Sequence, residues 1–413
     1  MILFFLTSGL FLGWSLGAND ASNVFGSAVG SRMISFRKAA IIASLFVILG
    51  AVNQGAGTSD TLNKLGAVNA LGGSFTLALA SAVTVYMMTR FSMPVSTTQA
   101  IVGAIIGWNL FTGNTTDTAT LSTIVGTWIS GPVLGALFAI PLYMLIIRIK
   151  KRLCIHLIMF ESYIKTGLLI VGAFASYSLG ANNIANVMGV FVPAFNLDDL
   201  DLGIITLSSA QQLFLLGGLA IAAGIMTYSK KVMETVGSNI VNLTSEAALV
   251  VVLAQSLVLF IFSSSTLSGF LVQLGLPPIP MVPVSSSQVI VGCVIGIGLY
   301  RGARNINFRL LGQIATGWIS TPLLAGFLSF FSLFFIKNIF NIDVGYKIIS
   351  ASFKETRSAV TEPRLWNISE VFKYVILAAI ITGLIAVVYY YLLERKRQSE
   401  LRKSEEWFWK NIK

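Results

Sequence analysis

Long apolar stretches recur along the chain, each close to the length that crosses a bilayer, with short polar or charged segments between them. At about 20 residues per crossing, the pattern predicts helices over roughly 3–30, 38–58, 70–90, 93–116 and 120–148, then 166–192, 204–228, 241–263, 282–300 and 308–336. An extra helix is expected at about 373–393, which makes about 11 membrane segments in an all-α polytopic membrane protein. Two stretches carry polar residues at mid-span: residues 16–26 read LGANDASNVFG and residues 179–189 read LGANNIANVMG. In lipid every backbone N–H and C=O needs a partner, so an interruption survives only where it is buried or lines a cavity. Gly17 permits unusual backbone angles, and Asn19 and Asp20 are natural N-caps. A helix break is therefore expected there, with a new half-helix from near Ala21 presenting its N-terminus to an anion. Asn19 and Asn23 are four apart and share a helical face, as do Asn182 and Asn186.

The chain contains itself twice. Besides the two runs above, MPVSTTQAIVGAIIG (93–107) matches VPVSSSQVIVGCVIG (282–296), and TWISGPVLG (127–135) matches GWISTPLLA (317–325). The second copy gains residues mainly at 263–282, a segment with no readable motif. A two-fold repeat of this length in an apolar chain is the pattern of a secondary transporter.

Loop charge orients the copies. Arg32, Arg37 and Lys38 follow the first signature, whereas Asp198, Asp199 and Asp201 follow the second. Asp60 and Lys64 are answered by Lys230 and Lys231. Arg90 faces an uncharged counterpart at 264–282, and Asp117 is answered by Arg301, Arg304 and Arg309. Cytoplasmic loops carry the Lys/Arg excess. The alternation predicts two inverted-topology repeats, with broken helices or hairpins at the midplane, the N-terminus outside and the C-terminus cytoplasmic. The expected organisation is repeat one over 1–152, a cytoplasmic link at 153–165 and repeat two over 166–336. An external loop at 337–372, the extra helix at 373–393 and a basic cytoplasmic tail at 394–413 follow. Whether 93–116 and 282–300 are re-entrant or broken spans stays open at this point.

Composition agrees. Of 413 residues, 55% are hydrophobic and 11% charged, against about 25% charged in soluble domains. The net charge of +11 is explained by cytoplasmic loops and anionic lipid rather than nucleic acid. The first 20 residues have no basic leader region and are expected to form a membrane helix, not a cleaved signal. Cys154, Cys293 and His156 cannot build a metal cluster or disulfide framework. No acid pair or nucleophile–base set is present, so an enzyme is not expected.

The polar motifs carry the chemistry. Pro94 and Pro283 suit a first helical turn. Ser96, Thr97, Thr98 and Gln99, and likewise Ser285, Ser286, Ser287 and Gln288, supply hydroxyl and amide groups that hold an oxyanion without Arg. Oxygen ligands nearby suit Na⁺. Asp20 is a lone carboxylate at membrane depth, functional by default. It could ligate a cation, accept a proton, or accept the O–H of a protonated oxyanion such as phosphate. Pro132 and Pro322 read as packing kinks, with Ser130 and Ser320 candidate cavity lining, and Glu246 reads as an interfacial carboxylate.

At the quoted runs the sequence resembles the inorganic phosphate transporter (Pit) family, over residues 1 to about 336 and in its short-linked prokaryotic form. The resemblance implies import of inorganic phosphate by symport with Na⁺, with H⁺ coupling or a sulfate-type oxyanion as alternatives. It implies substrate binding by Asn19, Asp20, Asn182, Asn183 and the two hydroxyl runs with Gln99 and Gln288, and a Na⁺ site involving Asp20, Asn23 and Asn186. No further cofactor is expected. The expected partners are phosphate, Na⁺, the lipid bilayer and a second copy in a homodimer, with no nucleic acid. Two departures stand out: family members often have Asp where this chain has Asn183, and many have His where Gln99 and Gln288 stand.

Overall fold

The computed structural model describes residues 2–90, 95–153, 156–195, 197–201, 206–230, 232–233, 244–302 and 308–345, with isolated positions beyond. Two compact units divide the chain, Met1–Val360 and Thr361–Lys413. The second, with the expected helix at 373–393 and the tail, falls almost wholly outside the described residues, as do Pro94 and most of the 337–372 loop.

The first unit is helical. Its first copy comprises α1 (Ile2–Gly30), α2 (Phe36–Leu65), α3 (Leu71–Arg90), α4 (Thr97–Thr112) and α5 (Thr118–Leu153). Next come α6 (Leu157–Met188), a short 3₁₀ segment (Gly189–Ala194), a two-residue antiparallel pairing of 200–201 with 206–207, and α7 (Ser209–Thr227). The chain then forms α8 (Ser245–Ser263), α9 (Ser265–Gln273), α10 (Ser286–Tyr300) and α11 (Phe308–Phe340). Seven helices among the described residues are long and apolar enough to cross a membrane.

One expectation is overturned. Neither signature breaks its helix: α1 runs unbroken through Gly17, Asn19 and Asp20, and α6 through Gly180 and Asn186. The glycines serve close approach, not a turn. A Cβ on Gly17 would lie 2.0 Å from the Ile221 carbonyl oxygen, and one on Gly180 would lie 2.1 Å from that of Val47. Asn19 and Asp20 are accordingly mid-helix residues, not caps.

The two copies make matching contacts. α1 packs on α7 as α6 packs on α2, and α4 on α11 as α10 packs on α5. Gly103 meets the backbone of Pro322, and Gly292 meets that of Pro132, each with room for no side chain. The kink prolines thus lie where a glycine of the opposite copy's hairpin seats. The equivalent helices α1 and α6 run antiparallel: Phe191 lies against Gly9, Val187 against Gly13 and Phe25 against Gly172. Their crossing falls at the two signatures.

Segments 93–116 and 282–300 share one form. Each is an extended lead followed by one capped helix. Ser96 caps α4 and Ser285 caps α10, each accepting the backbone N–H of the Gln three residues on. α4 packs back against α3, and α10 against α8, so α3 and α4, and likewise α8 and α10, are the first and second arms of a helical hairpin. The hairpins are anchored at opposite ends of the molecule. At the end of α4, Trp108 Nε1 donates to Val344 O (2.8 Å) and Asn109 Nδ2 to Leu65 O (3.0 Å). At the end of α10, Arg301 donates to the Tyr143 hydroxyl from Nε (2.9 Å) and to Thr244 Oγ1 from Nη2 (3.0 Å). Glu246 pairs with Lys150 at that same end, Lys150 also lying over the Phe160 ring.

The extra residues of the second copy form α9 and an extended strap. Both are tied to α2: Gln54 Oε1 accepts from Ser265 N and Oγ, and Thr61 Oγ1 donates to Met281 O. The insertion therefore fastens the second hairpin to the first copy.

Candidate functional site

The α1–α6 crossing brings both signatures and both hairpin tips together. Asp20 is buried on α1. Its Oδ2 accepts from Ser286 Oγ of α10 (3.1 Å) and its Oδ1 from Asn19 Nδ2 (3.3 Å). Within this network Asp20 is the one charged side chain.

On α6 the packing is tighter. Asn182 is fully buried and pairs twice with the backbone leading into α10, donating from Nδ2 to Val284 O (2.7 Å) and accepting the Val284 N–H at Oδ1 (2.8 Å). This double pairing fixes which way the Asn182 carboxamide faces, because Val284 offers one donor and one acceptor. Asn182 Nδ2 also donates to Asn183 Oδ1 (3.1 Å), as does Asn186 Nδ2 (3.1 Å). Asn186 Nδ2 reaches across to Thr98 Oγ1 at the start of α4 (2.9 Å). With its oxygen held by two donors, Asn183 turns Nδ2 away, buried and without a partner among the described residues. The two equivalent positions thus have opposite polarity, an acceptor at Asp20 and a spare donor at Asn183.

The hydroxyl runs divide by role. Ser96 and Ser285 are spent on capping. Thr98 and Ser286 join the tips to the signatures of the opposite copies. Thr97 is buried in the first turn of α4, and Ser287 is half-buried with its Oγ 3.2 Å from that of Ser285. Gln99 and Gln288 are buried, with Oε1 unpartnered among the described residues. Asn19 and Asn23 are half-buried, and Asn23 stands outside the network formed among the described residues. Of the three expected Na⁺ ligands, Asp20 sits in the α1–α10 network, Asn186 in the α6–α4 network, and Asn23 beside Asp20 on the face of α1.

Sequence reading missed Gln255 and Ser81. Both are buried in the first arms of the hairpins, and their polar side-chain atoms have no partner among the described residues. The signal was available: ALASAV (78–83) aligns with VLAQSL (252–257), placing Ser81 opposite Gln255.

A profile of the phosphate transporter family matches residues 16–329, spanning both signatures and both tips. The chain belongs to the phosphate transporter family. Among the relatives of this chain are three proteins each named "Putative phosphate permease". That of Thermococcus kodakarensis is 25% identical, covering 80% of this chain and 96% of its own. That of Pyrococcus abyssi is 27% identical, covering 79% and 96%, and that of Haemophilus influenzae 26% identical, covering 81% and 96%. The fold matches a solved structure titled the sodium-dependent phosphate transporter, with a TM-score of 0.64 and 24% identity over 82% of this chain and 99% of that one. The chain is a multi-pass membrane protein.

Proposed function

We propose that the protein imports inorganic phosphate by symport with Na⁺, from an outside that faces the N-terminus into the cytoplasm. The observation that carries this reading is the meeting of two capped half-helix N-termini with the Asp20 and Asn183 positions at the α1–α6 crossing. Helix N-termini and hydroxyls favour an anion. Asn183 adds an N–H donor. Asp20 supplies the acceptor, either for Na⁺ together with Asn23 and Asn186 or for the O–H that phosphate carries at neutral pH and sulfate lacks.

Hairpins entering from opposite ends toward a buried centre suit alternating access, in which repeat one and repeat two, inserted in opposite orientation, open in turn. The loops with Arg32, Arg37, Lys38, Lys150 and Arg301 would face the cytoplasm. The basic tail at 394–413 would lie on the same side.

Uptake into proteoliposomes under imposed Na⁺ or H⁺ gradients tests the reading. Phosphate uptake driven by inward Na⁺ is the expected result. Uptake indifferent to Na⁺ but driven by protons would replace the coupling ion. Sulfate uptake that phosphate does not compete would replace the substrate.

A further inference from the structure

Among the buried polar side chains of the hairpins, four near mid-helix or at the tips have atoms with no partner among the described residues. Gln255 lies mid-way along α8, 1% exposed, with neither Oε1 nor Nε2 partnered among the described residues. Ser81, its counterpart on α3, is 0% exposed with Oγ unpartnered. Gln288 and Gln99, on the second arms, leave Oε1 unpartnered. A dry carboxamide at membrane depth costs several kcal/mol, so packing alone does not account for these residues.

Helix register places the four at matching levels in pairs. α8 and α10 are antiparallel neighbours, tied by Val282 N to Phe262 O (3.1 Å) at one end and by Arg301 to Thr244 at the other. That register places Gln255 within about one helical turn (~5.4 Å) of the level of Gln288. In the first hairpin, Gly73 lies beside Trp108, and Val85 and Met88 cluster with Val95 and Ala100. Ser81 therefore falls within about one turn of the level of Gln99.

We propose that each hairpin holds a sodium ion, with water, between its two arms, ligated by Gln255 and Gln288 in the second hairpin and by Ser81 and Gln99 in the first. Carbonyl and hydroxyl oxygens are the ligands a hard monovalent cation takes. The protein ligands are neutral, which suits an ion that must also leave. Negative potential comes from Asp20, held by Ser286 two residues before Gln288. The second hairpin has the stronger set, two carboxamides against a carboxamide and a hydroxyl. This assignment rests on Na⁺ being the coupling ion.

The test uses the full chain in detergent, comparing thermal unfolding in sodium chloride with equal choline chloride, and Na⁺-dependent phosphate uptake in proteoliposomes. Sodium is expected to raise the unfolding midpoint of the wild type, as a ligand of the folded state does. Gln255→Met removes the unsatisfied amide, so it should be at least as stable as wild type in choline and lose most of the sodium-induced rise. Its half-saturating Na⁺ should increase roughly fivefold, about 1 kcal/mol at ~1.4 kcal/mol per tenfold, with the phosphate KM at saturating Na⁺ unchanged. Ser81→Ala, a small change that leaves folding intact, should shift half-saturating Na⁺ in the same direction by less. A Gln255→Met protein that is stabler yet keeps the full sodium response would show that water alone fills the site and would overturn the proposal. One that is less stable in choline would reveal a structural partner and overturn it equally. A wild type with no sodium response would remove the Na⁺ reading itself, and this site with it.

Discussion

The two copies of the signature differ more in structure than in sequence. In the second copy Asn182, Asn183 and Asn186 are all buried, and Asn182 grips the backbone of its own hairpin at Val284. In the first copy Asn19 makes no such pair with Val95. It turns instead to Asp20, and both Asn19 and Asn23 stay half-buried. The cross-copy bonds are also unequal: Asp20 holds Ser286, whereas its counterpart Asn183 holds no hydroxyl of α4. The second copy is pinned to its own hairpin and keeps one spare donor at Asn183, while the first is tied more loosely. A duplicated site that stayed symmetric would have to bind its anion and its cation with the same groups. Divergence lets one side accept and the other donate.

Breaking the charge side should have the largest effect. Asp20→Asn is expected to fold but to lose coupled uptake by about a hundredfold, about 2.8 kcal/mol at ~1.4 kcal/mol per tenfold, measured as Na⁺-driven phosphate accumulation. Breaking the pinned side comes next. Asn182→Ala strands the buried N–H and C=O of Val284 and should cost ~2–4 kcal/mol, whereas Asn19→Ala should cost under ~1 kcal/mol. Thermal unfolding of the two variants side by side checks this, and equal losses would remove the distinction between the copies. Making the copies alike is subtler. Asn183→Asp replaces a spare donor with a second carboxylate, so phosphate affinity should fall about tenfold, read by calorimetry at neutral pH. Last, Ser286→Ala removes one hydrogen bond to Asp20 and should weaken Na⁺-dependent uptake a few-fold, corresponding to ~1 kcal/mol.

The apolar helices, the repeated motifs and the polar tips were readable in the sequence because each rests on a local pattern. The 3.6-residue period hides nothing in an all-apolar stretch, and a repeated PVS run announces itself. The signature glycines misled for a physical reason. Gly beside Asn-Asp suggests a turn and a cap, yet at Gly17 the governing neighbour is the Ile221 carbonyl, two hundred positions away in the chain. Long-range backbone approach leaves no local trace. Capping at Ser96 and Ser285 was hidden for the opposite reason. Within a run of similar hydroxyls, sequence alone does not say which one the helix start consumes. Gln255 escaped notice because a lone amide in an apolar span is unremarkable until its lack of partners is seen.

The seating of α4 has a consequence for how the chain is made. Gly103 and Gly107 are shaped to meet Pro322 and Gly326 of α11, and Ser329 Oγ donates to Ala104 O (3.0 Å). Those partners emerge about two hundred residues later, which at ~5–20 residues per second is a wait of roughly ten to forty seconds. Throughout that interval the glycine face of α4 lacks the helix that seats on it. A nascent chain stopped before α11 would therefore hold a complete first repeat whose α4 leaves its glycine face uncovered.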